Sequence, residues 1–335
     1  MSKSIRVASA ALALAVFVAG CGTDEETFSN KSVSKNDTKT TPAPVDETTT
    51  PEPTPPVAAN SPVIEATYEN SETAFLEGRY DEAFDLFTIY TAKRPENPWG
   101  HYMLGMAAWK SGRLDDAQVG FNHAIELDST LVKAHLNLGR VLIEAHEPTA
   151  ALAAVEKALA IDGASSAARR LQGNAYHSLG QAEDALVAYR VAIQIDPEDA
   201  WSMNNLAFIL IEEGRYDEAL PALARATELR KDVPVFFNNL GMVLERTGHY
   251  RAAEDAYTYA GSLEGVSERA IANRERVRGV REQPGLEPVD LAALARVFEA
   301  ELQGNASVAT DAVSAEEPSL SVNPADTTSS AQQPE

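Results

Sequence analysis

Three groups of residues in this 335-residue chain have types and spacings that bear on chemistry. The first is Cys21, the one cysteine. A lone thiol makes no internal disulfide and no multi-cysteine metal site, which leaves it as a nucleophile or a point of attachment. The second is a row of amides. Asn137, Asn205, Asn239 and Asn273 are separated by multiples of 34 residues, with Asn174 in the interval between the first two. An amide donates to one group and accepts from another, so a regular row either grips an extended backbone or ties neighbouring elements together. The third is Trp99, Tyr102, Met106 and Trp109, spaced three, four and three, which places four large side chains on one stripe of a helix. Exposed, such a stripe is an interaction surface; covered, it is packing.

Catalytic frames are missing from the same sequence. There is no Gly-Lys dipeptide for a phosphate loop, no G-x-S-x-G and no G-x-G-x-x-G. His146-Glu147-Pro148-Thr149-Ala150 starts like a zinc-protease helix but ends in alanine and contains proline. The remaining histidines are scattered, and His101 and His135 recur at a packing position. Acid pairs such as Asp115-Asp116 and Asp217-Glu218 fall at helix starts, where they suit the dipole. No catalytic residue, metal ligand or cofactor is expected, and the chain reads as a non-enzyme.

The elements that must position the amides and aromatics come from an internal repeat. Alanine recurs at Ala83, Ala117, Ala151, Ala185, Ala219 and Ala253 without a slip. Five residues earlier stand Gly78, Gly112, His146, Gly180, Gly214 and Gly248. A third column reads Phe87, Phe121, Val155, Tyr189, Leu223 and Tyr257. Within each unit, apolar pairs four apart, such as Leu138 and Leu142, mark a first helix. A glycine then turns the chain, and the alanine and aromatic columns mark a second helix. Small residues on both helices allow close approach, and a single pair cannot bury its own apolar face, so the units must stack.

Unit five, WSMNNLAFILIEEGRYDEALPALARA, and unit six, FFNNLGMVLERTGHYRAAEDAYTYA, resemble the tetratricopeptide repeat. The resemblance covers about 64–265 and implies an all-α solenoid of about six helix-turn-helix repeats with a capping helix. Departures are local: Asn70 and Ser71 in the first unit, His146 and Pro148 at the third turn, Gln172 in the fourth, and Pro221 inside a second helix. The resemblance also implies that first helices line a concave groove that holds a protein or peptide segment. Carried onto this chain, the groove residues are Trp99, Tyr102, Met106, Trp109, Asn137, Arg140, Asn174, Trp201, Asn205, Asn239 and Asn273. Contact with a partner backbone and bridging between helices both remain open for the asparagines. The aromatic stripe either meets a partner or packs under the first unit. Lys133, Arg140, Arg169 and Arg170 receive an acidic segment or pair with neighbouring acids. Arg269, Arg274, Arg276, Arg278 and Arg281 crowd the cap, as a solvated surface or as a dock for an acidic segment.

The N-terminus reads as an address. Lys3 and Arg6 precede an apolar run from Val7 to Ala19, too short to span a bilayer. Val18-Ala19-Gly20-Cys21 resembles the lipobox of bacterial lipoproteins. That resemblance implies cleavage before Cys21, a diacylglycerol thioether on its sulfur and acylation of the new N-terminus, an anchor of several chains. In a Gram-negative cell, Gly22 after the cysteine implies the outer membrane. Residues 1–20 are then the signal, 21–63 a Pro- and Thr-rich tether, 64–283 the superhelix with its cap, 284–303 an amphipathic helix and 304–335 an acidic tail. Leu291, Leu294, Val297, Phe298 and Leu302 form the expected stripe of that late helix.

The formal charge is −22. Such a surface repels phosphate backbones, so nucleic acid is excluded as a partner class. The expected function is a membrane-anchored scaffold that binds a partner segment in envelope, pilus, secretion or cell-wall assembly. A small-molecule or glycan-binding envelope lipoprotein is the alternative. Replacing the attachment point tests the address: Cys21→Ser should move the protein from the membrane fraction to the soluble one, and retention in the membrane fraction would refute it.

Overall fold

The repeat dictates the elements. In the computed structural model, which describes residues 65–263, 268–282 and 284–302, each unit is a pair of helices. The first pair is α1 (Tyr68–Leu76) and α2 (Tyr80–Lys93). The second is α3 (Pro98–Lys110) and α4 (Leu114–Leu127), and the third is α5 (Val132–Glu144) and α6 (Pro148–Ile161). The fourth pair is α7 (Ser166–Ser178) and α8 (Ala182–Ile195), and the fifth is α9 (Ala200–Glu212) and α10 (Tyr216–Leu229). The sixth is α11 (Pro234–Arg246) and α12 (Tyr250–Ser262), followed by α13 (Glu268–Val277). Residues 291–302 form a last helix, α14. The described residues contain no strand. Two compact units divide the chain, one up to Asp162 and one from Gly163. Cys21, the tether and the acidic tail lie outside the described residues.

Local chemistry sets the helix ends. Pro98, Pro148 and Pro234 occupy first-turn positions, where the missing N–H has no intrahelical partner to lose. Asn97 accepts from the N–H of Trp99 and of Gly100, and Ser165 accepts from that of Ala168. The turn between paired helices needs a left-handed residue. Glycine supplies it in five of the six turns, and His146, with φ of 62°, supplies it in the third.

The alanine column, Ala83 to Ala253, is fully buried at every repeat. A Cβ on Gly120 would lie 2.6 Å from the backbone nitrogen of Gly105, so α3 and α4 cross backbone to backbone. Phe87, Phe121, Tyr189 and Tyr257 fill the space beside such crossings and are at most 2% exposed. The first repeat follows the same logic with different residues. Ser71 occupies the small-residue position of α1, fully buried, and its hydroxyl donates to the carbonyl of Thr67 at 2.7 Å. Pro221 is accommodated inside α10, which runs through it uninterrupted.

Contacts between repeats are unequal. Within the first unit α1 touches α3 and α3 touches α5, and within the second α7 touches α9, α9 touches α11 and α11 touches α13. Among the described residues of each unit the backbones of successive second helices stay farther apart, linked only through side chains such as Gln118 and Glu147. The first helices therefore form the crowded layer of each unit, and their outward side chains share one face.

After α13 the chain returns along the second unit. Glu282 accepts from the N–H of Arg251, at the start of α12, where His249 offers no side-chain cap. Asp290 caps α14 by accepting from the N–H of Ala293. Phe298 enters the core, with Leu291, Leu294 and Leu302 packed against it. The expected stripe needs one correction: Val297 is 48% exposed, and Ala295, at 2%, takes its place. From Leu291 the buried side falls three, four, seven and eleven residues on, whereas a step of six turns to the opposite side. Arg225 on α10 approaches Glu299 at 3.8 Å. Beneath α14, Ala224 is buried, while the residues at that position in the other repeats, Thr88, Asn122, Glu156, Arg190 and Thr258, are all exposed.

A non-glycine residue held at positive φ carries about 1–2 kcal/mol of strain. His146→Gly should therefore stabilise the protein by about 0.5–1 kcal/mol after the added freedom of the unfolded chain is counted, read as a rise in the urea midpoint with unchanged slope.

Candidate functional site

The expected groove residues all lie on first helices, and the structure sorts them by what they touch. In the first unit, Asn137 on α5 is 5% exposed. Its Nδ2 donates to Tyr102 Oη at 2.9 Å and to Met106 Sδ at 3.1 Å, both on α3. Its Oδ1 accepts from Arg140 Nη1 at 2.7 Å. Asn137 is thus a bridge between repeats. Tyr102, 8% exposed, belongs to the core, and burial pushes its phenol above the ordinary value. Trp99 is 45% exposed, with its ring set edge-on to that of Tyr102 at 5.4 Å. Met106 and Trp109 are half-buried. Trp109 Nε1 donates to Glu144 Oε2 at 2.7 Å, and the Lys110 ammonium lies 5.5 Å from the Trp109 ring centre. The face thus combines an open indole, a pinned indole and a thioether, and Lys133 is exposed at the start of α5. Within the stripe Tyr102 is covered, by Phe121 of its own repeat and Asn137 of the next, whereas Trp99 is open.

The second unit repeats the bridging rule twice. Asn239 Nδ2 donates to Asn204 Oδ1 at 2.9 Å, and Asn273 Nδ2 donates to Asn238 Oδ1 at 2.9 Å. In each case the amide reaches a residue 35 positions back, as Asn137 does to Tyr102. Asn205 would meet Arg170 by the same rule. A guanidinium has no acceptor, and Asn205 turns instead to Asn174 Oδ1 at 3.1 Å. Tyr189 Oη also donates to Asn174 Oδ1, at 2.7 Å. Asn239 is 5% exposed, whereas Asn174, Asn205 and Asn273 are half-buried and reachable. Trp201 is half-buried and stands edge-on to Phe236 at 4.9 Å.

Arg170 is committed elsewhere. Its Nη1 lies 2.7 Å from both oxygens of Asp199, and the two side chains are 8% and 3% exposed. Asp199 also accepts from the N–H and the hydroxyl of Ser202, capping α9. The pair ties the fourth repeat to the fifth and takes Arg170 out of the expected basic patch. Arg169 donates to Gln172 at 3.1 Å, which gives the unusual Gln172 a partner. At the cap, Arg276 donates through Nε and Nη2 to Glu245 at 2.9 and 2.7 Å. Burial alone would raise the Glu245 carboxyl, yet hydrogen bonds from Arg276 and Tyr257 hold it below its ordinary value. Arg274 and Arg278 pair with Glu275, and Arg269 and Arg281 are exposed.

Sequence reasoning overlooked Asn204, Asn238, Asp199 and Tyr189. The Asn-Asn dipeptides at 204–205 and 238–239 were the available signal, because one member of each pair takes the bond that the next repeat offers. Among the described residues no cluster of three or more His, Cys, Asp or Glu side chains is placed to hold a metal ion, and no helix is long and apolar enough to cross a membrane.

Removing one partner of a buried ion pair leaves an uncompensated charge, at a cost of about 3–5 kcal/mol. Asp199→Ala should lose about that much stability, read by denaturant unfolding. Asp199→Ala combined with Arg170→Met should recover a large part of it.

Sequence comparison agrees with this architecture. The tetratricopeptide repeat family matches residues 73–130, 102–166 and 200–233, and the related TPR repeat family matches 173–212. No curated protein matches the chain. A tetratricopeptide repeat protein from Parabacteroides merdae superposes with a TM-score of 0.53 at 14% identity, over 62% of this chain and 82% of that one. The APC/C hetero-tetramer Cut9-Hcn1 gives a TM-score of 0.54 at 14% identity, over 62% of this chain and 41% of that one. At such identities the likeness is one of fold. With its in-phase helix pairs, its column of buried alanines and its crowded layer of first helices, the chain is a tetratricopeptide-repeat protein.

Proposed function

We infer that this protein is a membrane-anchored scaffold whose first-helix faces hold an extended segment of a partner protein. The tetratricopeptide fold is a protein–protein interaction scaffold, which supplies the general class. The observation that carries the finer reading is the open face of α3: Trp99, 45% exposed, beside half-buried Met106 and Trp109. Large aromatics held rigid by neighbours lose little entropy when a partner covers them. The half-buried Asn174, Asn205 and Asn273 add polar anchors in the second unit. Each bridge uses part of an amide's capacity and leaves a lone pair or an N–H for a partner backbone. The sequence around Cys21 supports attachment to the cell envelope, at the outer membrane in a Gram-negative cell. The proposed partners are envelope proteins of pilus, secretion or cell-wall assembly, and the reading includes no enzymatic step.

The bridging role of Asn239 makes it a poor probe, because its removal would loosen the repeats themselves. Trp99→Ala changes the open face while leaving the asparagine bridges of both units intact. In-cell crosslinking should capture a protein partner with the parent chain and lose most of it, about tenfold, with the variant, at an unchanged melting temperature. Equal capture by both would remove the α3 face from the reading. Saturable binding of an envelope glycan, abolished by Trp109→Ala without any captured protein, would favour the ligand-binding alternative.

A further inference from the structure

The amide-to-amide links along the first helices of the second unit all donate in one direction. Arg276 Nη1 donates to Asn273 Oδ1 at 2.9 Å. Asn273 donates to Asn238, Asn238 to Asn239 at 3.5 Å, Asn239 to Asn204, Asn204 to Asn205 at 3.2 Å, and Asn205 to Asn174. Six amides thus stand head to tail from the cap helix α13 back to α7.

A guanidinium explains the common sense of the chain. Arginine has donors and no acceptor, so the amide that meets it must present oxygen. That turns the Asn273 nitrogen toward Asn238, which must then offer its own oxygen, and the constraint passes from one amide to the next. At the far end Tyr189 Oη donates to Asn174 Oδ1 at 2.7 Å, in the same sense. Arg276 itself cannot turn away, because Nε and Nη2 are held by Glu245, which also accepts from Tyr257 Oη at 2.9 Å. The first unit holds a one-step version in which Arg140 orients Asn137, and Asn137 donates to Tyr102. In both places the arginine stands three residues after the asparagine that it orients.

We propose that Arg276 is a positioning residue that sets the orientation of the whole amide row, and so fixes where the second unit offers N–H and where it offers C=O to a bound segment. It acts through the amides and need not touch the partner. The consequence for a partner rests on the scaffold reading; the orientation itself does not. Reversing the row would exchange donor and acceptor positions on Asn174, Asn205 and Asn273, and a segment that matched one pattern would meet the other.

Side-chain amide signals in NMR spectra of the ¹⁵N-labelled full chain test this without any partner. Asn273→Asp keeps an acceptor for Arg276 but cannot donate, so Asn238 must turn to face it. The expected result is a concerted shift of the side-chain amide signals of Asn238, Asn239, Asn204, Asn205 and Asn174. Arg276→Lys, still donor-only, should leave the last three of these where they are in the parent chain. Shifts that stop at Asn238 and Asn239, across the long 3.5 Å link, would overturn the proposal, as would shifts of Asn205 and Asn174 in Arg276→Lys equal to those in Asn273→Asp. Failure here leaves the captured partner as evidence for the scaffold, and failure of capture leaves the orientation standing.

Discussion

The crossing of two helices within a repeat depends on side chains that are nearly absent. Where Gly120 meets Gly105, one backbone rests on the other, and a single added carbon would sit 2.6 Å from a peptide nitrogen. The alanine column keeps the same approach in every repeat, with no exposure at any of its members. Everything larger is arranged around that contact. Phe121 and Tyr189 fill the flanking space, and each such side chain contributes about 2–3 kcal/mol by leaving water. A helix pair fixed this closely still has bare apolar edges, so repeats stack and the first helices crowd together. The face they share is a result of the crossing.

Crowding the first helices creates a polar problem that the asparagines solve. An amide buried without a partner costs about 1–3 kcal/mol. Asn137, Asn204, Asn238 and Asn239 are all at most 8% exposed, and each has a side-chain partner in a neighbouring repeat. Arg170 shows the rule by exception. It cannot accept, so Asp199 neutralises it and Asn205 reaches Asn174 instead. Stability and recognition are thereby drawn from the same side chains: the bonds that join repeats also orient the groups left for a partner. The open indole of Trp99 stands apart from this network, and for that reason it carries the functional reading most directly.

The sequence by itself determined the repeat, its period and its helix pairs, because a 34-residue recurrence of glycine, alanine and aromatic positions has one stable solution: antiparallel helices that stack. The inward-facing positions were implied by the resemblance to the tetratricopeptide repeat and not by periodicity itself. A serine at position 71 and a histidine at 146 did not disturb the repeat, because the position demands small size in one case and a left-handed turn in the other, and neither demands a particular residue.

Only the tertiary structure decided which inward residues are surface and which are structure. Trp99 and Tyr102 lie three apart on one helix, yet one is 45% exposed and the other 8%. The difference comes from Asn137 in the next repeat, whose position relative to Tyr102 is set by packing between helices. The same holds for Val297 and Ala295 in α14: a stripe drawn on a sequence has a width, and the helix beneath decides which edge is covered. The partners of each asparagine were likewise invisible, because a hydrogen bond 35 residues long is fixed by the stacking of repeats and not by anything local to either residue. Sequence gave the periodic frame because periodicity is a local property of one chain, whereas the direction of the amide row depends on one donor-only guanidinium at its end, and only three-dimensional contact connects that end to the rest.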